Sequence, residues 1–198
     1  SADSHVAEND ETYADIDPRY RDIRPRAAYK EERGGAIFTI PNLPMAEGVP
    51  MGLVCTAGRP PEDFGKPRRW EELHPAGHDP KARLALQKED GVAAEIIYPS
   101  MGMVLCNHPD MDFRKACFDA YNRWILRFHE ADPERLVMLP QIGLRNVKEG
   151  IAELEAFIDL VERSGVSVDT AMAGRVDLGT PAGRMNARML GTVARYES

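Results

Sequence analysis

From Pro80 onward the sequence alternates between segments of helical and of strand period, and that alternation limits the fold more than any other feature. Asp79-Pro80 sets a capping carboxylate before a proline at the first helical position. Leu84, Leu86 and Val92 then bracket a short helix through about Glu89, which stops at Asp90-Gly91. Residues 92–98 read as a mostly apolar strand closed by Pro99. From Pro109 to about Ala131, the residues Met111, Cys117, Phe118, Tyr121, Ile125 and Phe128 recur at helical spacing, and Asp132-Pro133 ends the run. Residues 135–140 predict a second buried strand. Asn146 caps a third helix through Ile151, Leu154, Phe157, Ile158 and Val161 to Gly165, and residues 166–170 predict a third strand. This order is that of βαβ units, whose near-continuous apolar strands are buried on both faces of a parallel sheet, so the expected fold class is α/β. Thr180-Pro181 opens a final helix by the same cap-then-proline rule, striped by Met185, Met189, Leu190 and Val193.

The first 80 residues carry little periodic apolar pattern. More than half of the fifteen prolines fall between Pro41 and Pro80, together with Gly48, Gly52, Gly58, Gly65 and Gly77. Such punctuation predicts a long irregular excursion. Its Phe38, Leu43, Val54, Phe64 and Trp70 predict that it packs against the rest. The chain has 198 residues, 43% hydrophobic and 29% charged, enough for one domain with a core and marginal for two. With 32 acidic against 25 basic residues the net charge is -7, so the general basic field that draws proteins to nucleic acid or anionic lipid is missing. No apolar run approaches the roughly 20 residues of a membrane span, and Ser1-Ala2-Asp3-Ser4-His5 lacks the regions of a signal peptide, so a cytoplasmic chain is expected. Cys55, Cys106 and Cys117 form no C-x-x-C pair and are expected as reduced thiols. With no initiator methionine ahead of Asp3, the chain reads as a fragment.

Asp3-Ser4-His5 places two metal-capable side chains at i and i+2, which on a strand point to the same face. A carboxylate oxygen with an imidazole nitrogen suits zinc or manganese, but two ligands make half a site at best. Taken alone, such a pair at a terminus is more often a surface coincidence. Glu8 is a candidate third oxygen donor, and such a residue is more often a solvated loop position.

Five separated blocks sharpen this reading. They are residues 1–8, residues 57–66 from Ala57-Gly58-Arg59-Pro60-Pro61, residues 79–84, residues 89–100 from Glu89-Asp90-Gly91, and residues 116–122 with Ala120-Tyr121-Asn122. In this order they resemble the amidohydrolase-related metal-dependent hydrolases, in the branch that also holds decarboxylases such as aminocarboxymuconate semialdehyde decarboxylase. The resemblance implies a (β/α)8-type barrel with metal at the C-terminal ends of its strands. It implies that Asp3 and His5 are the first-strand metal pair, with aspartate where histidine is more common. The implied cofactor is a divalent metal, zinc foremost with manganese as the alternative, and later strands would supply the remaining ligands. The implied substrate is a small molecule, a carboxylate, and the implied reaction is hydrolysis or decarboxylation. Since a complete barrel typically needs about 250 residues, the expectation is a truncated, partial barrel-type sheet, inactive alone and with open edges prone to self-association. His108 falls just after the second strand on the implied substrate side and is a candidate substrate contact. Arg59, with Lys66, Arg68 and Arg69, is a candidate carboxylate holder, although the nearby Glu62, Asp63, Glu71 and Glu72 also fit a mutually paired surface. His74 and His78 are expected as exposed or hydrogen-bonded loop residues, and His129 as a packing or surface residue.

The end of the chain reads differently. Phe157-Ile158-Asp159-Leu160-Val161-Glu162, Ser164-Gly165-Val166 and above all Asp177-Leu178-Gly179-Thr180-Pro181-Ala182-Gly183-Arg184 resemble the later part of a serine recombinase (resolvase/invertase) catalytic domain. That family's nucleophilic serine and activating arginines lie upstream of the matching region. Five arginines against six acidic residues over 154–198 leave little power to neutralise phosphate, which disfavours DNA strand exchange by this chain. The expected division is therefore 1–153, hydrolase-like, joined to 154–198, recombinase-like, as a chimera. The competing readings are a recombination remnant, a non-catalytic interaction fragment, and a divergent barrel half throughout.

Overall fold

The computed structural model describes residues 1–43, 48–54, 56, 59–143, 145–164, 169–170, 174–175, 180–183 and 185. The chain divides into two units, Ser1–Gln141 and Ile142–Ser198. Along the first run β1 (Ser4–Val6), β2 (Arg26–Lys30), β3 (Gly35–Thr39), β4 (Val49–Pro50), α1 (Pro80–Glu89), β5 (Glu95–Pro99), α2 (Met101–Leu105), α3 (Met111–His129) and β6 (Leu136–Met138).

The central sheet has the order β1-β5-β6 and is parallel throughout, with His5 beside Tyr98 and Ile96 beside Val137. Parallel neighbours need crossover connections, supplied here by the excursion with α1 and then by α2 with α3. The α1 helix spans the residues its cap predicted, and the Asp79 carboxylate accepts the Lys81 N–H at 2.8 Å. Capping by Asp110, which accepts the Asp112 and Phe113 N–H groups at 3.0 Å, starts α3 two residues later than Pro109. The strand expected from residue 92 begins only at Glu95. Gly91 lies at φ 67° and the Val92 N–H turns back to the Gln87 carbonyl at 2.8 Å, so these residues finish the helix.

Period two separates the faces of the sheet. Val6, Ile97 and Leu136 join Phe113, Cys117, Tyr121, Trp124 and Phe128 of α3 in one buried cluster. Each such large apolar side chain contributes about 1.5–3 kcal/mol on burial. On the other face Ile96 and Val137, 36% and 40% exposed, share the register with His5 and Tyr98.

The sheet edges, expected to be open, are covered at several groups. In a parallel ladder alternate residues turn both N–H and C=O to one side, so His5 and Ala7 face away from β5. The Ala7 N–H donates to Gly77 O at 2.7 Å, and His5 O accepts from Arg83 Nη1 at 2.7 Å. On the far edge the Leu136 N–H donates to Asp132 O at 2.9 Å, and Leu136 O accepts from His129 Nδ1–H at 2.6 Å. These bonds blunt the edges as templates for another strand.

The excursion contains a feature that composition did not suggest, an antiparallel sheet of order β2-β3-β4. Its first hairpin closes through a single 3-10 turn, Glu31–Arg33, and Gly34 at φ 64°, a left-handed conformation that costs glycine little. Ala36, Ile37 and Phe38 of β3 are buried, and the Phe38 ring lies 6.1 Å from that of Tyr13, so the excursion is packed as expected.

In the second unit α4 (Val147–Ser164) is followed by β7 (Asp169–Thr170) and β8 (Gly174–Arg175). Asn146 caps α4 by accepting the Glu149 N–H at 2.9 Å. The helix runs unbroken through residues 153 and 154, where the join of the two resemblances was placed. The third expected strand needs correction. Residues 166–168 lie outside the described residues, and β7 pairs antiparallel with β8, because a connection this short cannot make a parallel crossover. The parallel sheet is thus three-stranded among the described residues. Cys55, Ala57, Gly58, the Asp177-Leu178-Gly179 block, Arg184 and residues 186–198 also lie outside the described residues. No helix among the described residues is long and apolar enough to cross a membrane.

Candidate metal centre

His5 stands level with Tyr98, one residue before the C-terminal end of β5, with the two rings 5.7 Å apart. Its Nδ1 lies 3.0 Å from Pro99 O; a carbonyl only accepts, so Nδ1 carries the hydrogen. In the neutral ring Nε2 then holds a lone pair, and it lies 3.4 Å from Asp3 Oδ1. Two electron-rich atoms held this close need a proton or a cation between them. The spacing suits a divalent ion, because donors at about 2.0–2.1 Å from one metal at a tetrahedral angle stand about 3.4 Å apart. A backbone carbonyl on the other ring nitrogen is the usual outer partner of a metal-ligating histidine. The side chains of His5 and Asp3 are 38% and 88% exposed, open to an incoming ion. These residues fit two positions of a divalent centre. Among the described residues, however, no three His, Cys, Asp or Glu side chains gather to complete one.

Glu8, the third candidate donor, is fully buried and occupied. Its carboxylate accepts the N–H groups of Ser100 and Met101 on Oε2, at 3.3 and 3.0 Å, and of Gly102 on Oε1 at 2.8 Å. Burial pushes its pKa above the usual carboxylate value, and the N–H bonds pull against that without cancelling it.

Beneath the pair, on the helix-covered side, lies a polar lattice that sequence reasoning missed. Arg83 Nε meets Glu95 Oε2 at 2.6 Å, and Arg83 Nη1 joins His5 O to Ala76 O, at 2.7 and 3.1 Å. Gln87 Nε2 and Ser4 Oγ donate to the same Glu95 carboxylate, at 2.9 and 3.2 Å. Burial alone would raise the Glu95 pKa, but the bonds from Arg83 and Gln87 outweigh it and hold the carboxyl below its ordinary value. The signal was present in the sequence: Glu95 is the one charge in an apolar strand, opposite a helix with Arg83 and Gln87 at i and i+4.

The other expected residues are engaged elsewhere. His108 is 2% exposed, stacks on Phe113 at 4.6 Å, donates Nε2–H to Pro41 O at 2.9 Å and accepts the Asp110 N–H on Nδ1 at 3.1 Å. Both nitrogens of this ring tie loops together. Arg59 Nη2 donates to Glu72 O at 2.7 Å. Lys66 and Arg68 pair with Asp63 at 2.7 and 3.1 Å, and the bond from Lys66 helps hold the Asp63 carboxyl below its usual range. Arg69 lies over the Tyr29 ring at 5.1 Å. His74 Nδ1 accepts the Ala76 N–H, and His78 stacks on Trp70 at 4.8 Å. Cys106 is exposed and Cys117 buried, both as free thiols, and burial pushes the Cys117 thiol far above its ordinary value. An open recess of about 550 Å³, lined by Asn9, Asp10, Glu11, Tyr29, Arg69 and Trp70 among others, contains none of Asp3, His5, Arg59 and His108.

No family model matches the chain, and no curated protein does. Among solved structures, the chain is similar to an amidohydrolase from Mycobacterium avium subsp. paratuberculosis K-10, with a TM-score of 0.56 and 16% identity. The superposition covers 80% of this chain and 45% of that one, so this chain spans less than half the length of the protein it matches. At this identity the likeness is one of fold: the chain has an amidohydrolase-like α/β fold in part.

Proposed function

We propose that residues 1–153 are part of a metal-dependent hydrolase or decarboxylase of the amidohydrolase type, with Asp3 and His5 as two ligands of a divalent ion, zinc before manganese. One observation carries the reading: His5 Nε2 is held 3.4 Å from Asp3 Oδ1, with Nδ1 engaged by Pro99 O, at the C-terminal end of parallel strands in a fold of this type. A bound ion would supply a water whose pKa is lowered to about 7, or polarise a substrate carbonyl. The chain's own residues do the rest. Pro99 O fixes the tautomer of His5, Arg83 holds the His5 carbonyl, and Tyr98 packs beside the ring. The substrate in this reading is a small carboxylate. Of the two expected contacts Arg59 donates Nη2 to Glu72 O, and both ring nitrogens of His108 are taken. Two ligands cannot fix an ion for catalysis, so residues 1–198 alone are inactive in this reading. Self-association would use edge groups other than those engaged within the chain.

The test measures binding of a panel of aromatic carboxylates with and without zinc, beside an assay of esters, amides and aromatic carboxylates. We expect carboxylate binding that strengthens with zinc and is lost in His5→Ala, without turnover. Carboxylate binding indifferent to zinc would count against the reading. Metal-dependent turnover abolished by His5→Ala would show that the site is complete in this chain.

A further inference from the structure

The three residues whose N–H groups enter the Glu8 carboxylate, Ser100, Met101 and Gly102, follow directly on Pro99, the residue whose carbonyl accepts the His5 hydrogen. Glu8 itself lies three residues beyond His5. His5, Glu8, the opening turn of α2 with Ser100 before it, and Pro99 therefore close a ring of contacts at the C-terminal end of the sheet. The turn is gripped from its other side as well. Gln141 Nε2 donates to Gly102 O at 2.7 Å, and Asn122 holds the Gln141 backbone through bonds of 2.7 and 2.8 Å. No slack remains at Gly102, where an added Cβ would come within 2.6 Å of Gln141 Oε1 and 2.9 Å of Pro99 Cβ. A carboxylate buried this deeply is costly by itself, and here it is offset by three N–H bonds that an apolar side chain in its place would leave without an acceptor.

We propose that Glu8 is a positioning residue for His5: by fixing the Pro99–Gly102 turn it keeps the Pro99 carbonyl where it selects the Nδ1–H tautomer and turns Nε2 toward Asp3. The consequence for metal ligation rests on the reading above, while the positioning itself does not. With Glu8 removed, the N–H groups of the turn lose their shared acceptor, the turn relaxes, and the Pro99 carbonyl no longer discriminates between the two ring tautomers.

The experiment is nitrogen-15 NMR of the histidine rings in the metal-free full chain, as wild type, Glu8→Ala and Glu8→Gln. An apolar core variant, Phe128→Leu, serves as a control for general destabilisation. The wild type should show His5 as the Nδ1–H tautomer. Glu8→Ala should lower the tautomer ratio roughly fivefold, the worth of one hydrogen bond, and Phe128→Leu should leave it unchanged. Glu8→Gln, which keeps one acceptor oxygen, should fall between and serves if Glu8→Ala does not fold. A His5 tautomer unaltered in the folded Glu8 variants, or altered equally in Phe128→Leu, would overturn the proposal. If zinc fails to bind the wild type while the tautomer still follows Glu8, the metal reading fails and the positioning role stands. If zinc binds through Asp3 and His5 while the tautomer ignores Glu8, the reverse holds.

Discussion

Replacing Arg83 with alanine should be among the most damaging single changes in the first unit. The guanidinium makes one short bond to Glu95 and two to the carbonyls of His5 and Ala76, with the side chains of Arg83 and Glu95 only 11% and 13% exposed. Removing it leaves a nearly buried carboxylate supported only by Gln87 and Ser4, and deprives two carbonyls of a partner. Breaking a buried pair from one side typically costs about 3–5 kcal/mol, and exposure near one-tenth together with the two surviving bonds argues for the lower end, about 3 kcal/mol. For a unit of this size that corresponds to a fall in Tm of roughly 10–15 °C. The assay is urea unfolding of wild type, Arg83→Ala, Glu95→Gln and the double variant. The double variant should lose roughly 2 kcal/mol less than the two single losses combined, because each single change strands the other partner. Arg83→Ala should also raise concentration-dependent association, since the His5 carbonyl on the β1 edge is uncovered. A loss below about 1 kcal/mol, or strict additivity, would refute the reasoning.

Two further outcomes follow from the same region. Gly102→Ala must push a methyl group into Gln141 Oε1 and Pro99 Cβ, and should cost about 1–3 kcal/mol by thermal unfolding; a neutral result would mean that the turn has room to move. Acid should act on Glu95 and Glu8 in opposite senses. The Glu95 carboxyl is held below its ordinary value of 4.5, so its contribution is present above that value and is lost as pH falls through the folded value. Glu8 is raised, so its contribution is greatest below its ordinary value and declines as pH rises through the folded value. Stability measured by urea should therefore rise less steeply with pH below about 4.5 in Glu95→Gln than in wild type, and fall less steeply with pH above about 4.5 in Glu8→Gln.

What the sequence disclosed was local. Caps at Asp79 and Asn146 and the apolar periods of α1 and α3 are properties of contiguous residues, and the structure follows them within a few positions. The β2-β3-β4 sheet escaped notice because its strands are short and Pro/Gly punctuation around them resembles loop; Gly34-Gly35 was the available hairpin signal. At the site, the i and i+2 spacing of Asp3 and His5 did place the two side chains together. The fate of Glu8 and His108, and the bond of Arg83 to the His5 carbonyl, depended on partners 67 to 94 positions away, and no local pattern shows which carbonyl or N–H will meet a side chain across such a separation.

The central claim is that Asp3 and His5 together hold a divalent ion, and the most direct measurement is calorimetric titration of zinc into the metal-free chain beside Asp3→Ala and His5→Ala. The account predicts weak binding of one ion by the wild type and its loss in either variant, as expected of two ligands where three or four make a firm site. Tight stoichiometric zinc that survives dialysis and is unaffected by both substitutions would contradict it.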